Sequence, residues 1–206
     1  MFKDRQTAAE ELSEKLKNSR KTSRFDAVIP VTFSGFQTAE KVANELDLPI
    51  RPLISSKLKV PGKTSLEFGA VTHDGTIWLD DAMVEEFMID RDFIREIAAE
   101  NKFKLRKRLE AKNIRPKLDI RSKNVLIVTD GIASGMQTSA SLGACLKNGA
   151  ESITVATPFI SKHALEDISK LAENLIYLKK PRFVASVRDG YAAEFRENSS
   201  KISREV

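Results

Sequence analysis

The sequence contains few of the residues that build cross-linked or zinc-dependent proteins. Cys145 is the one cysteine among 206 residues, which excludes an internal disulfide framework and a multi-cysteine zinc cluster. The two histidines, His73 and His163, lie far apart in the chain with no other metal-ligand motif beside them, so a zinc centre is not expected. A single thiol also suits a reducing compartment.

Long hydrophobic runs are also missing. The longest near-apolar stretch covers residues 27–33, which is far short of the ~20 residues that span a bilayer. Residues 1–15 are too polar for a secretory signal. We therefore expect a cytoplasmic protein with no membrane segment.

The charge balance is only moderately basic, with 34 Lys and Arg against 29 Asp and Glu and a formal net charge of +5. The basic residues are concentrated in residues 102–117, where Glu110 is the only acid. A run of this kind on a helix is typical of a solvated face, and a nucleic-acid surface is the alternative interpretation.

Hydrophobic periodicity predicts alternating helices and strands. Helices are expected at 5–17, 38–46, 90–112, 136–146 and 161–171, and strands at 25–31, 48–54, 124–128, 152–156, 175–178 and 183–187. A mobile loop is expected at 55–64, followed by a hairpin of 67–72 and 76–79. Repeated strand–helix–strand units predict a single α/β domain over residues 1–206, with a mainly parallel sheet flanked by helices.

The most informative segment is 125–138, where a buried strand leads through a loop of small residues into a helix. Ligands of parallel sheets bind beyond the carboxyl ends of the strands, and a helix N-terminus there favours an anion. Gly131 and Gly135 permit unusual backbone angles, while Ser134 and Thr138 supply hydroxyl groups. The residues point to a phosphosugar site, with an ordinary strand–loop–helix turn as the alternative. The loop matches neither the P-loop nor the dinucleotide-binding glycine pattern.

Several motifs resemble the type I phosphoribosyltransferase family, in particular a predicted-phosphoribosyltransferase branch of prokaryotes. The similarity extends along nearly the whole chain. It includes the loop 125–138, Phe2-x-Asp4-Arg5-x-x-Ala8, Pro30…Ser34-Gly35, Lys57…Pro61-Gly62…Phe68-Gly69-Ala70-Val71 and the tail Phe183-x-Ala185…Tyr191…Phe195.

The resemblance implies a parallel core with a small hood formed by parts of the N- and C-terminal segments. It also implies binding of 5-phosphoribosyl 1-diphosphate, as its complex with Mg²⁺, or of a nucleotide 5′-phosphate. The phosphoribosyl group is then expected to be transferred to an unidentified nitrogenous acceptor. A homodimer is expected, since two-fold dimers are the commonest assembly.

The same resemblance assigns candidate site residues. Phosphate and ribose contacts fall on Thr129, Asp130, Gly131, Ile132, Ala133, Ser134, Gly135, Met136, Gln137 and Thr138. Diphosphate contacts fall on Ser34, Gly35 and Lys57, and base contacts on Phe183 and Val184. No residue is assigned as a metal ligand, although Asp130 is an indirect candidate through a hydrated Mg²⁺.

The chain departs from the family pattern at four places. Thr129 stands where the family has the first acid of a pair, and Ala133 stands where purine-salvage members often carry a catalytic Asp. Gln137 stands where many members have Thr, and the Ser34-Gly35 loop lacks Arg-Gly-Gly. The catalytic residues therefore stay unassigned. A non-catalytic regulator that binds a nucleotide or phosphosugar is the alternative function, with nucleic-acid binding through 102–117 as a further possibility.

Overall fold

The computed structural model describes residues 1–19 and 25–192, and helices and strands alternate through most of these ranges. The helices are α1 (Arg5–Lys17), α2 (Phe36–Leu46), α3 (Asp81–Glu86), α4 (Arg91–Ala111), α5 (Met136–Lys147) and α6 (Lys162–Leu171). The strands are β1 (Ala27–Pro30), β2 (Ser55–Val60), β3 (Lys63–Thr72), β4 (Ile77–Leu79), β5 (Asn124–Val128), β6 (Ser152–Phe159) and β7 (Asn174–Lys179). A 3₁₀ helix covers Val187–Gly190.

Four strands form a parallel sheet in the order β1-β5-β6-β7. Side chains alternate between the two faces of a strand, so β5 buries its apolar run on both sides. Val125 and Ile127 pack in a cluster with residues of α5 and α6, while Leu126 and Val128 pack with residues of α1 and α2. The predicted parallel sheet flanked by helices is confirmed.

A second sheet is antiparallel and has the order β2-β3-β4. The predicted hairpin of β3 and β4 is confirmed, with Ala70 opposite Trp78. The apolar face of this sheet packs on α4, where Leu58 and Phe68 join a buried cluster with Ile94. This sheet lies beside α5 and brings β2 and β3 to the loop that follows β5.

Two adjoining sequence predictions are wrong. Residues 48–54 do not form a continuous strand. Arg51 and Leu53 donate to the Val28 and Pro30 carbonyls of β1, but Pro30 has no N–H group to return a bond, so only Ile50 makes a bridge. Residues 55–64 are not a loop, since they contain β2, a turn and the start of β3. The lysines of β2 make this segment resemble a polar loop, although residues between them, such as Leu58, are buried.

The strand predicted at 183–187 is also wrong. Pro181 follows β7 closely, and the segment after it leads into the 3₁₀ helix rather than into a ladder. Phe183, which suggested a buried strand, is 82% exposed. Further along, Tyr191 is buried and bridges to Phe2, so the two ends of the described chain lie together. Their assignment to a hood stays a prediction, and Phe195 lies outside the described residues.

The helices predicted from periodicity match the observed ones to within two residues at each end. No helix in the described ranges combines the length and the apolarity that a membrane crossing requires.

Candidate functional site

The loop between β5 and α5 ends in a helix N-terminus that no side chain caps. Gly135 occupies the N-cap position of α5 with φ of +82° and has no side chain to bond the first-turn amides. The first intrahelical bond runs from the Ser139 N–H to the Gly135 carbonyl over 2.9 Å. The preceding amides of α5 therefore have no intrahelical acceptor and retain the positive end of the helix dipole.

Two glycines allow the loop to turn back over the sheet. Gly131 has φ of +148°, and a Cβ there would lie 2.3 Å from a ring carbon of Phe159. Gly135 has a left-handed backbone and lies against Ala164, 3.4 Å from a Cβ placed on it. A side chain at either position would strain the backbone, and at Gly131 it would also collide with an aromatic ring.

We call residues 133–138 the cradle. The two residues before the cradle donate their backbone N–H groups to other parts of the protein. The Gly131 N–H donates to the Thr129 hydroxyl over 3.0 Å, and the Ile132 N–H donates to the Phe159 carbonyl over 2.9 Å. Ser161 fixes the loop from below by donating to the Ala133 carbonyl over 2.7 Å. Gly131 and Ile132 thus use their amides within the fold, and any phosphate contact through backbone N–H groups falls on the cradle.

The cradle opens into a small pocket of about 60 Å³, which we call the cradle pocket. Five of the six cradle residues line it, and Met136 lies outside that lining. Three elements contribute the remaining polar residues, among them Ser34 from the loop after β1 and Lys57 from β2. The structure thus brings together the residues predicted for phosphate and for diphosphate.

Gly35 contributes through close packing rather than through a side chain. A Cβ at this position would lie 3.1 Å from Oδ1 of Asp130 and 3.0 Å from the Thr32 hydroxyl, which accepts the Gly35 N–H. The loop after β1 and the loop after β5 are therefore in direct contact.

Thr129 and Asp130 are both buried and already bonded within the protein. The Asp130 carboxylate accepts from Arg5 Nε over 2.9 Å, and the Asp130 carbonyl accepts the Tyr191 hydroxyl. The Thr129 hydroxyl lies 3.1 Å from that of Thr157. Burial is the main cause that raises the pKa of the Tyr191 hydroxyl well above its ordinary value, and the Asp130 charge adds to the effect.

Glu67 is a site residue that the sequence analysis missed. Its carboxylate accepts from Lys57 Nζ over 2.5 Å through one oxygen and from the Ser134 hydroxyl over 2.9 Å through the other. β2 and β3 place Lys57 and Glu67 on the same sheet, and the chain reversal that does so is the hairpin predicted as a loop. The signal available in the sequence was the position of Glu67 directly before the quoted Phe68-Gly69 motif.

The structure does not bring the predicted base-contacting residues to the cradle pocket. Phe183 and Val184 line a separate pocket with Phe2 and Phe159, and only Val187 of this segment reaches the cradle pocket. Their role in base binding stays a prediction.

A basic pocket adjoins the cradle pocket and shares Ser34 with it. Its cations come from three parts of the fold, namely Arg5 of α1, Lys112 after α4 and Arg188 of the 3₁₀ helix. Its other lining residues are aromatic, aliphatic or uncharged polar groups, and Arg5 alone of the three cations is paired with a nearby acid, Asp130. We call it the cationic pocket.

Much of the basic run 102–117 is engaged with the protein itself. Lys104 pairs with Glu100 one helical turn away. Arg106 Nε donates to the His73 carbonyl over 3.0 Å, and the Arg108 guanidinium lies 4.2 Å from the ring centre of Phe33. Such contacts are typical of a solvated helix face, and nucleic-acid binding here stays a prediction.

The described residues do not form a set of side-chain ligands for Mg²⁺. In that part of the chain no group of three or more His, Cys, Asp or Glu side chains is arranged to hold a metal ion. Asp130, the indirect candidate, is paired with Arg5. The donor set therefore fits an ion that enters with a phosphorylated ligand better than a resident metal.

Comparison with known proteins finds relatives that are named as phosphoribosyl transferases. No protein-family model matches the chain. A Mycobacterium tuberculosis protein named "Putative phosphoribosyl transferase Rv0571c" is 26% identical over 192 residues, which cover 93% of this chain and 43% of that protein. The chain thus spans less than half the length of this curated relative.

Solved structures show the same resemblance. The protein TT1426 from Thermus thermophilus is 28% identical with a TM-score of 0.74, over 92% of this chain and 89% of that one. A purine phosphoribosyltransferase from Pyrococcus horikoshii is 17% identical with a TM-score of 0.50, over 87% of this chain and 83% of that one, and this likeness concerns the fold alone. Together these comparisons confirm the resemblance to the type I phosphoribosyltransferases and the fold that it implies.

Proposed function

We propose that the chain is a phosphoribosyltransferase that binds 5-phosphoribosyl 1-diphosphate in the cradle pocket. The phosphoribosyl group would be transferred to a nitrogenous acceptor. The acceptor nitrogen bonds to the anomeric carbon, the carbon–oxygen bond to diphosphate breaks, and the proton of the nitrogen passes to the departing diphosphate. Rate enhancement would come from positioning and charge stabilisation rather than from a covalent intermediate.

The observation that carries this proposal is the uncapped N-terminus of α5 facing a pocket. The 5′-phosphate would accept hydrogen bonds from backbone N–H groups of the cradle and from the hydroxyls of Ser134 and Thr138. The chain-wide similarity to a relative with a phosphoribosyl transferase name supports the same ligand class.

The diphosphate end needs positive charge, because the Ser34-Gly35 loop carries none. Lys57 lines the cradle pocket, and the cationic pocket next to Ser34 adds Lys112 and Arg188. These side chains would take over the role of the missing Arg-Gly-Gly sequence. Mg²⁺ would enter as the complex of the donor and neutralise part of its diphosphate charge.

One observation favours a second function, binding without transfer. Asp130 and Thr129 are the residues that would hold the ribose hydroxyls, yet both are bonded inside the protein, to Arg5 and Thr157 respectively. A chain that retains the cradle without a free carboxylate beside it would act as a sensor of nucleotides or phosphosugars.

The test is to incubate the protein with 5-phosphoribosyl 1-diphosphate, Mg²⁺ and a panel of nucleobases while diphosphate release is measured, with calorimetry for donor binding. We expect release with at least one base and a loss of donor affinity of about tenfold in Thr138→Ala, whose hydroxyl lines the cradle pocket, since a hydrogen bond to a charged group contributes about 1.5–3 kcal/mol. Ser169→Ala, which removes an exposed hydroxyl of α6 outside the cradle pocket, is the control.

The outcomes separate the two functions. Donor binding without release for any base would support the sensor and contradict the transferase. An absence of both binding and release would contradict both functions.

A further inference from the structure

Glu67 places a carboxylate where an anionic ligand would bind. Its two oxygens are held by Lys57 Nζ at 2.5 Å and by the Ser134 hydroxyl at 2.9 Å. Both donors line the cradle pocket, whereas Glu67 itself is not among the residues of that lining. The Glu67 carboxylate is thus bonded to Lys57 and to the Ser134 hydroxyl, the two groups that the proposed function assigns to the donor's phosphates.

The contact is sheltered rather than fully solvated. The Glu67 side chain is 18% exposed and that of Lys57 is 36% exposed. A charge-assisted hydrogen bond in such a partly buried position is stronger than an exposed one and is screened less by salt. Glu67 therefore competes with any ligand for these donors.

The contacts around β2 and β3 hold these strands in place without the hydrogen bonds of the Glu67 carboxylate. Gln137 of the cradle donates to the Ser55 carbonyl at the start of β2 over 3.0 Å, which anchors the base of the hairpin to α5. Glu67 lies beyond that anchor on β3, beside a register irregularity after Leu58. The carboxylate is thus able to leave its two partners without separation of the two sheets.

We propose that Glu67 is an internal competitor for the anion site and sets the affinity of the cradle pocket for phosphorylated ligands. In the ligand-free protein its carboxylate neutralises Lys57 and occupies the Ser134 hydroxyl. The 5′-phosphate of a ligand displaces the carboxylate from the Ser134 hydroxyl, and the diphosphate of the donor displaces it from Lys57. This inference rests on the proposed function, because it assumes that the cradle binds phosphate.

The exchange also gives Glu67 a role in selectivity. A ligand with one weakly charged anionic group gains little by replacing a carboxylate that is already bonded twice. A phosphate monoester carries more charge and more acceptor oxygens than the carboxylate that it replaces. Glu67 therefore favours phosphorylated ligands over carboxylated ones at this site.

The experiment is a calorimetric titration of ribose 5-phosphate into wild-type protein and into Glu67→Gln, with ribose as the uncharged probe. The amide keeps the size of the side chain and removes the charge that competes, so we expect Glu67→Gln to bind ribose 5-phosphate about tenfold more tightly than wild type. Glu96→Gln makes the same change of charge at an exposed position of α4, and it controls for the altered net charge.

Three results would overturn the inference. Unchanged affinity in Glu67→Gln would show that the carboxylate does not compete. Weaker binding would show that Glu67 holds the ligand, and an equal gain in Glu96→Gln would show an effect of net charge alone. In each case ribose 5-phosphate still binds and the proposed function stands, whereas an absence of binding in wild type and Glu67→Gln alike would contradict both.

Discussion

At the scale of single residues, burial decides which polar groups remain available for a ligand. Asp130 and Thr129 are buried and bonded, whereas Ser134 and Lys57 are partly exposed and bonded to a carboxylate that a ligand can replace. A polar residue's identity alone did not reveal this difference, which depends on partners far away in the sequence.

His73 gives a residue-scale prediction about pH. The ring is 6% exposed, its Nδ1 is buried without a hydrogen-bond partner, and burial is the main cause that lowers its pKa below 6.5. The unfolded chain therefore binds a proton more readily than the folded one as the pH falls. The stability contributed by the neutral ring is complete above pH ~6.5 and is lost as the pH drops below it, by at most about 1.4 kcal/mol per pH unit.

The measurement is the free energy of unfolding by denaturant at pH 7.5 and at pH 5. His73→Gln should lose less stability between these two pH values than wild type does. His163→Gln, which alters an exposed histidine, should behave like wild type. An equal pH dependence in wild type and His73→Gln would show that His73 does not contribute to acid sensitivity.

At the scale of elements, α1 holds the loop after β5 through one ion pair. Arg5 at the start of α1 reaches Asp130 directly before Gly131, and its guanidinium also lies 4.9 Å from the ring centre of Tyr191. The Asp130 side chain is 2% exposed, so removal of Arg5 leaves a buried carboxylate without this partner.

We expect Arg5→Met to lower the free energy of unfolding by about 3 kcal/mol, the usual cost of removing one partner of a buried pair. Arg95→Met breaks the pair of Arg95 with Asp92, in which both side chains are mostly exposed, and should cost less than about 1 kcal/mol. Equal losses in the two variants, measured by denaturant unfolding, would contradict a structural role for the Arg5–Asp130 pair.

The elements also show what sequence patterns contain. β5 was predicted because four consecutive apolar residues are buried on both faces, and α5 because its small residues end in a glycine. β2 was missed because serines and lysines make up most of it and the Pro61-Gly62 turn directly after it is typical of a loop. Periodicity records burial on one face, and it fails where a short edge strand is mostly polar.

In the candidate site, too, some residues could be predicted from the sequence and others could not. The cradle was predictable because the strand, the glycines and the helix N-terminus are consecutive in the chain. Glu67 was not, because its contact with Ser134 joins residues 67 positions apart and depends on how the two sheets pack. Phe183 was placed in a strand from its apolar character alone, although it is exposed.

At the scale of the whole molecule, the cradle pocket lies where the two sheets meet. The parallel sheet supplies the cradle and Ser34, and the antiparallel sheet supplies Lys57 and Glu67. Hydrogen bonds from Gln137 to Ser55 and from Ser134 to Glu67 join the two sheets at this point. The homodimer and the cytoplasmic location stay predictions.

The account depends most on the claim that the backbone amides of residues 133–138 bind a phosphate group. The most direct measurement is a ¹H–¹⁵N NMR titration of the protein with ribose 5-phosphate, with ribose as the control ligand. We predict that the largest amide shifts occur within 133–138 and are absent with ribose. Shifts centred elsewhere, or equal shifts with both ligands, would contradict the claim.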